Sequence, residues 1–357
     1  MSVNQSEMAA PSAFSPDTLL PDAETMRAMY WTMLLSRRVD ERAWALHRQG
    51  KIAFHISGMG QEAAQVGAAF AINRGVDYVH PYYRDLALCL AIGVTPTDFM
   101  MSLFGKEGEL SSNARQMPSH FGARHLNIVS GSAPVATQVP QAAGLAFAIK
   151  YRQTTGLIDA GDATQPRLAL TTLGEGSTSQ GEWHEGMNWA GVHRLPFICL
   201  VQNNNYAISV PVDQQMAIAN VADRAAAYGV TGIVVDGNDV LAVYAVTRAA
   251  VERAYNGEGA TLIEAKTYRI VPHSSDDDDR SYRSREEVDS WKARDPIVRM
   301  RGILEAEGVL APGDADGYEA RARAAVDAAQ AAAESAPDPS PESALGAVYA
   351  PLDADGG

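Results

Sequence analysis

Between Leu168 and Lys266 the chain alternates short apolar runs with helix-patterned stretches, and this alternation constrains the fold more than any other feature. Leu168 to Leu173 is apolar and β-leaning, and it ends in Gly174-Glu175-Gly176. Ser177 to Arg194 reads as a helix with Trp183, Met187, Trp189 and Val192 toward one side, until Pro196 stops it. Phe197 to Val201 makes a second buried strand and runs into Asn203-Asn204-Asn205. A helix follows around Ala217 to Tyr228, then a strand at Gly232 to Val235, a helix from Val240 to Tyr255 and a strand at Thr261 to Lys266. Strand, helix, strand is the parallel crossover unit, so the expected fold is α/β: a doubly wound, mainly parallel sheet flanked by helices.

Upstream, residues 1–22 read as a flexible arm, followed by an amphipathic helix from near Ala23 through Leu46, with Arg37, Arg38, Asp40, Glu41 and Arg42 on its wet face. Gly58 to Ile72 combines small and apolar residues and reads as a closely packed, mostly core helix. Downstream of Tyr268 the chain turns polar. Asp276 to Asp279 form a run bracketed by Arg269, Arg280, Arg283 and Arg285, expected to be a solvated loop. Asp314 to about Glu334 reads as an Ala-rich surface helix. The expected organisation is one domain over 23–335 and a tail over 336–357.

Composition excludes several classes. A hydrophobic content of 46% supports a large core, and a net charge of −14 repels nucleic acid and anionic membrane. Cys89 and Cys199 lack both disulfide and metal-ligand spacing, which suits a reducing compartment. The first arginine is Arg27, preceded by Glu7, Asp17, Asp22, Glu24 and three prolines, and no apolar window spans a bilayer. A cytoplasmic protein with no membrane and no nucleic-acid partner is expected.

Ligands of open parallel sheets bind outside the carboxyl ends of the strands, where helix N-termini face anions. Glu175 and the Asn203–Asn205 run both sit at such ends, and the 26 residues between Gly176 and Asn203 fit one helical crossover. A carboxylate, a carboxamide oxygen and a backbone carbonyl are hard donors that suit Mg²⁺, which completes its shell with phosphate oxygens and water. Gly174 and Gly176 let backbone approach phosphate, and Ser177, Thr178 and Ser179 open the helix with free N–H groups and hydroxyls.

Gly174-Glu175-Gly176 followed by Asn203-Asn204 resembles the bipartite thiamine-diphosphate motif. The run GEGSTSQGEWHEGMNWAGVHRLPFICLVQNNNYAISVP is similar to the alpha subunit of the decarboxylating component of 2-oxo acid dehydrogenase complexes. The resemblance extends from Met26 to Glu305 through KIAFHISGMGQEAAQVG, PYYRDLAL, ARQMPSHFG, SAPVATQVPQAAG and YRIVPHSSDDDDRSYRS. Glu175, where the commoner motif has Asp, points to the branched-chain (2-oxoisovalerate) members.

The resemblance implies a thiamine-diphosphate-binding fold, with Mg²⁺ on Glu175, Asn204 and the Tyr206 carbonyl. It places Tyr83, Arg84, Ala133, Val135, Gly174, Gly176, Ser177, Gln202 and Ile208 against the cofactor, Val135 as the wedge that keeps it bent. His273 corresponds to the active-site histidine that touches the diphosphate and aids acyl transfer. Phe54, Tyr83, Met117, His120 and Ala133 align with the substrate pocket, and Ser132, Pro134, Thr137 and Gln138 with a potassium site of some members. The family's activating glutamate comes from a beta subunit, and no motif for it occurs here. The resemblance therefore implies a heterotetramer of two alpha and two beta chains that passes its acyl group to a lipoyl-bearing acyltransferase core. The SGMGQEAAQVGAAF segment is the candidate beta contact.

Departures from the pattern are Gln202 in place of an arginine on the phosphate, Ala133 in place of a serine, and an insertion around Thr154 to Gln165. Ser274 aligns with a serine phosphorylated in mitochondrial members. The expected activity is 2-oxo acid dehydrogenase (2-methylpropanoyl-transferring), with pyruvate or acetoin dehydrogenase as the alternative within the class. A non-catalytic Mg²⁺-nucleotide module is the alternative outside it, and the chain has no Walker-type GxxxxGK[ST]. The aspartate run is expected to order only when the cofactor is bound.

Overall fold

Five strands form one parallel sheet: β1 (Tyr78–His80), β2 (Ala169–Gly174), β3 (Phe197–Asn203), β6 (Thr231–Asp236) and β7 (Thr261–Lys266), in the order β1-β2-β3-β7-β6. The short strands β4 (Tyr206–Ala207) and β5 (Val210–Pro211) pair separately as an antiparallel hairpin. The computed structural model describes residues 20–157 and 167–346 of the chain. The expected arm up to residue 19, the insertion beyond 157 and the tail from 347 fall outside the described residues.

The longer helices are α1 (Ala23–Arg48), α2 (Glu62–Ala71), α3 (Leu86–Ile92), α4 (Pro96–Phe104), α5 (Gln138–Thr155) and α6 (Gly181–Val192). After these come the short α7 (Val212–Gln215) and α8 (Ala225–Tyr228), then α9 (Val240–Tyr255), α10 (Arg285–Lys292), α11 (Pro296–Ala306) and α12 (Asp314–Ser335). Alternating residues of each strand feed two cores. Leu168, Leu170, Ile198, Leu200, Ile263 and Ala265 pack under α1–α4, α9, α11 and α12. Ala169, Leu173, Phe197, Cys199, Val201 and Leu262 pack under α5, α6 and α8. The sheet is therefore covered on both faces, as right-handed crossovers require: β2, β3 and β6 are entered by steps in one direction, β7 by a step back through α9.

Several elements depart from the sequence reading. The helix expected from Ser177 begins only at Gly181, because Glu175–Ser179 tightens into a 3-10 turn in which Thr178 Oγ1 donates to the Glu175 carbonyl. On α6, Trp183 and Met187 are buried while Trp189 and Val192 are exposed. The helix expected around Ala217 shrinks to a 3-10 turn at Val221–Arg224 plus α8, because Asn220 and Asp223 cap each other and start the turn there. Arg37 and Asp40 are buried rather than wet. Arg37 pairs with Glu62 (2.6 Å) and Asp295 (2.7 Å), and Asp40 takes His55 Nε2 (2.6 Å) and Gly58 N–H (2.8 Å).

The expected surface helix, α12, buries Ala322, Val326, Ala329 and Ala333. Residues after it dock on this same chain, through Glu107 N–H to Pro337 O (3.0 Å) and Lys106 to Asp338 (2.7 Å). The candidate beta contact is spent inside the chain: residues 57–69 are all buried, and a Cβ on Gly67 would lie 2.7 Å from Val240 O of α9. Among the described residues no helix is long and apolar enough to cross a membrane.

Candidate functional site

At the carboxyl ends of β2 and β3 the ladder pairs Gly174 with Gln202, so the two chains leave the sheet side by side. They open into a cavity of about 390 Å³. Glu175 and Asn204 both line it. Glu175 is fully buried; its Oε2 accepts the N–H of Asn204 at 3.0 Å, while its Oε1 and the Oδ1 of Asn204 are buried with no partner. Burial holds the Glu175 carboxyl above its ordinary range. A buried acceptor without a donor costs about 1–3 kcal/mol, more for a carboxylate, and two of them on one wall are what a hard cation offsets. The free donors on that wall are a carboxylate and a carboxamide oxygen, hard groups that fit Mg²⁺ better than the nitrogen and sulfur donors of a zinc centre do.

Opposite charge is also present. Arg84 and Arg269, 2% and 1% exposed, line the same cavity, and neither has a carboxylate partner among the described residues. Arg84 donates to Ser57 O (2.7 Å), His273 O (2.9 Å) and His273 Nδ1 (2.8 Å). Arg269 donates to Ile208 O (2.7 Å), to the Tyr282 hydroxyl (3.0 Å) and, weakly, to Tyr206 O (3.5 Å). Two buried guanidinium ions hydrogen-bonded to neutral groups leave a net positive wall that an anion completes. Burial, with Arg84 and Arg269 beside it, pushes His273 down to about 3. The imidazole is therefore neutral, with Nδ1 accepting from Arg84 and the proton on Nε2.

Phe54, Tyr83, Met117, His120, Ala133, Val135, Gly174, Gly176, Ser177, Tyr206 and Ile208 all line this cavity. The His120 ring turns Nδ1 toward the carbonyls of Met117 (3.0 Å) and Pro118 (3.1 Å), leaving Nε2 buried and unpartnered. Gln202 is not on the wall. Its side chain lies under the sheet, where Nε2 donates to Asp85 Oδ1 (2.6 Å) and Oε1 accepts from Gln65 (3.0 Å), so the buried Asp85 claims it. The candidate potassium residues lie outside the cavity lining. Ser132 Oγ, Thr137 Oγ1 and Pro134 O converge within 2.5–3.3 Å, but Gln138 turns away to donate to Thr172 O (3.0 Å).

Ile56, Tyr82, Ala207 and Arg269 also line the cavity and were not assigned from sequence. Ile56 was findable, since it is two residues from Phe54 in an extended stretch. Arg269 gave no signal beyond bracketing an aspartate run. In that run Asp276 and Asp278 are exposed as expected, facing His47 (3.4 Å) and Arg280 (2.6 Å), but Asp277 and Asp279 are half-buried, Asp277 accepting His273 N–H (2.7 Å) and Asp279 pairing with the buried Arg283 (2.5 Å), so the loop is anchored without a cofactor.

A two-faced parallel sheet with a cationic cavity and a buried, half-unpartnered carboxylate at its carboxyl edge belongs to the class of α/β proteins that hold phosphorylated ligands. The model of the dehydrogenase E1 component family matches residues 30–342, and the chain belongs to that family, which is thiamine-diphosphate-dependent. It is 52% identical over 322 residues to the 2-oxoisovalerate dehydrogenase subunit alpha of Bacillus subtilis (strain 168), covering 90% of this chain and 94% of that one. It is 38% identical over 334 residues to the 3-methyl-2-oxobutanoate dehydrogenase subunit alpha of Mycobacterium tuberculosis (strain H37Rv), covering 93% and 84%. It is also 38% identical over 296 residues to the pyruvate dehydrogenase E1 component subunit alpha of Bacillus subtilis (strain 168), covering 82% and 74%.

Proposed function

We propose that this chain is the alpha subunit of a branched-chain 2-oxo acid dehydrogenase, which decarboxylates 2-oxoisovalerate-type substrates and passes the acyl group to a lipoyl-bearing core. The observation that carries this is the pairing of two unsatisfied buried oxygens, on Glu175 and Asn204, with two uncompensated guanidinium groups, on Arg84 and Arg269, around one cavity. The higher identity to the 2-oxoisovalerate relative than to the pyruvate relative favours the branched-chain substrate.

Bound thiamine diphosphate supplies the electron sink that lets a 2-oxo acid lose CO₂. Glu175, Asn204 and the Tyr206 carbonyl would hold Mg²⁺, while Arg84 and Arg269 orient the diphosphate through planar, multiply donating forks. Gly174 and Gly176 keep the wall open to it, Ser177 adds a hydroxyl, and Val135 and Ile208 back the rest of the cofactor. Phe54, Tyr83, Met117 and Ala133 would make the apolar end of the cavity that takes a branched side chain, with Met117 and Ala133 exposed in this chain alone. His120 lines the same cavity and keeps a buried, unpartnered Nε2, and neutral His273 holds a transferable proton on Nε2. A potassium ion is proposed on Ser132, Pro134 and Thr137, bracing the loop ahead of α5.

The partner is a beta chain, in a heterotetramer of two alpha and two beta subunits. Two buried free cysteines suit a reducing compartment, and the cytoplasm is the proposed location. The test is reconstitution with the cognate beta chain and a comparison of turnover on 2-oxoisovalerate, pyruvate and acetoin. Efficient turnover of 2-oxoisovalerate only in the presence of beta is expected; a preference for pyruvate or acetoin, or full activity of this chain alone, overturns the reading.

A further inference from the structure

Glu264 lies on β7 with no exposed surface, in a layer otherwise filled by Leu173, Val201 and Leu262. Burying a carboxylate there costs several kcal/mol unless the structure uses the charge. Its partners show the use. Oε1 accepts from Asn203 Nδ2 at 2.7 Å and from Lys266 Nζ at 2.6 Å, and Oε2 accepts the N–H of Ala222 at 2.9 Å. Asn203 is thereby gripped from below, and its own Oδ1 takes the N–H of Asn205 at 3.1 Å. Asn205 has φ +71°, a left-handed turn that sharply redirects the chain after β3. Asn204 stands between these two fixed residues, its N–H on Glu175 Oε2 and its Oδ1 unpartnered on the cavity wall.

We infer that Glu264 is a positioning residue for the cation site: through Asn203 it fixes the turn that aims the Asn204 carboxamide oxygen beside Glu175. This rests on the proposed Mg²⁺ role of Glu175 and Asn204. The charge matters because Glu264 faces three donors, on Asn203, Lys266 and Ala222. A neutral Gln must turn its own NH₂ toward at least one of them, and even where its oxygen keeps Asn203 that hydrogen bond loses its charge assistance and weakens. A bland role for Glu264, tethering the 3-10 turn at Val221–Arg224 to the sheet, would act through Ala222 instead and leave the cation site alone.

The experiment uses the full chain assembled with its beta chain. Thiamine diphosphate binding is followed by calorimetry at fixed cofactor while Mg²⁺ is titrated, for wild type, Glu264→Gln and Asn203→Ala, with thermal midpoints recorded without cofactor. Both variants are expected to raise the half-saturating Mg²⁺ about tenfold, the usual size of losing an outer partner of a metal ligand, and to recover full binding at high Mg²⁺. The double variant is expected to match the singles, because both break one link. Variants with the wild-type Mg²⁺ requirement, or an effect confined to Glu264→Gln, overturn the inference. A wild type that binds the cofactor without regard to Mg²⁺ overturns the cation reading and this inference with it.

Discussion

Arg84 Nη2 stands 2.8 Å from His273 Nδ1 and 2.9 Å from the carbonyl oxygen of the same residue. One guanidinium therefore fixes both the ring and the backbone of the histidine, and it adds to the burial that pushes His273 down to about 3. An anion seated between Arg84 and Arg269 offsets their charge, so we predict that the His273 value rises when thiamine diphosphate and Mg²⁺ bind. Binding then takes up protons as pH falls through the raised value. In the free chain the folded value lies below the ordinary histidine value near 6.5, so the stability tied to neutral His273 is complete above about 6.5 and lost as pH falls toward 3. Histidine NMR titrations with and without cofactor check this. A free-chain value near the ordinary one, or no change on binding, counts against it.

Glu175 sets stability against function. Burial raises its carboxyl above the ordinary value, so its contribution to stability is present below that value and is lost as pH rises through the raised one. Glu175→Gln removes this penalty. We predict that the cofactor-free variant is as stable as wild type or more so, with a difference that widens from acidic to neutral pH. Cofactor affinity in Mg²⁺ should fall by about ten- to a hundredfold, the range expected for losing one charged donor–acceptor pair. Thermal scans across pH, paired with calorimetry, read both effects. A variant that binds cofactor normally would remove Glu175 from the cation site.

The two glycines flanking Glu175 answer differently to a methyl group. A Cβ on Gly176 would lie 2.6 Å from Ala207 Cβ and 3.1 Å from its Cα, so the turn must move. On Gly174 the nearest atoms, Asn204 Nδ2 and Tyr82 Cε2, are 3.9 Å away and φ is −81°, which alanine adopts freely. Gly176→Ala should destabilise the chain by about 1–3 kcal/mol. Gly174→Ala should leave it unchanged or raise it by about 0.5 kcal/mol, through the unfolded state, while still weakening cofactor binding at the cavity wall. Denaturation curves and binding isotherms for the pair decide it; equal stability losses would contradict the packing argument.

What sequence revealed and what it hid divide by range. Helix α9 and strand β7 have the bounds that pattern alone gives, because Asp239 caps the helix locally and a continuous apolar run makes the strand. Glu175 and Asn204 were legible because one crossover of fixed length brings two strand ends together. Arg37, Gln202, Glu264 and Arg269 were not, since each is buried by partners that sequence does not place beside it: Arg37 meets Asp295, 258 positions away, and Gln202 meets Asp85, 117 away. A charged side chain on an amphipathic pattern reads as wet until the fold supplies its counter-charge. The three-residue strand β1 was missed for a simpler reason: it is too short to show a period.

The aspartate loop gives the last prediction. Its ends are anchored by Asp277, which holds His273 N–H and the Tyr282 hydroxyl, and by Asp279, which pairs with buried Arg283. Asp278 and Arg280, on either side of Asp279, form an ion pair with each other, and the Arg280 side chain is 73% exposed. Tyr282 also accepts from Arg269, so the loop is tied to the wall proposed to hold the diphosphate. An anion that fixes Arg84, Arg269 and His273 binds the closed loop better than the opened one, and its binding energy adds to the cost of opening. Trypsin must open this segment to cut after Arg280, so cleavage should slow about tenfold or more when cofactor and Mg²⁺ are in large excess over their dissociation constants. Asp277→Ala, which frees His273 N–H and Tyr282, should abolish the protection while leaving the basal cleavage rate high. Equal cleavage of wild type with and without thiamine diphosphate would break the link between this loop and the cavity.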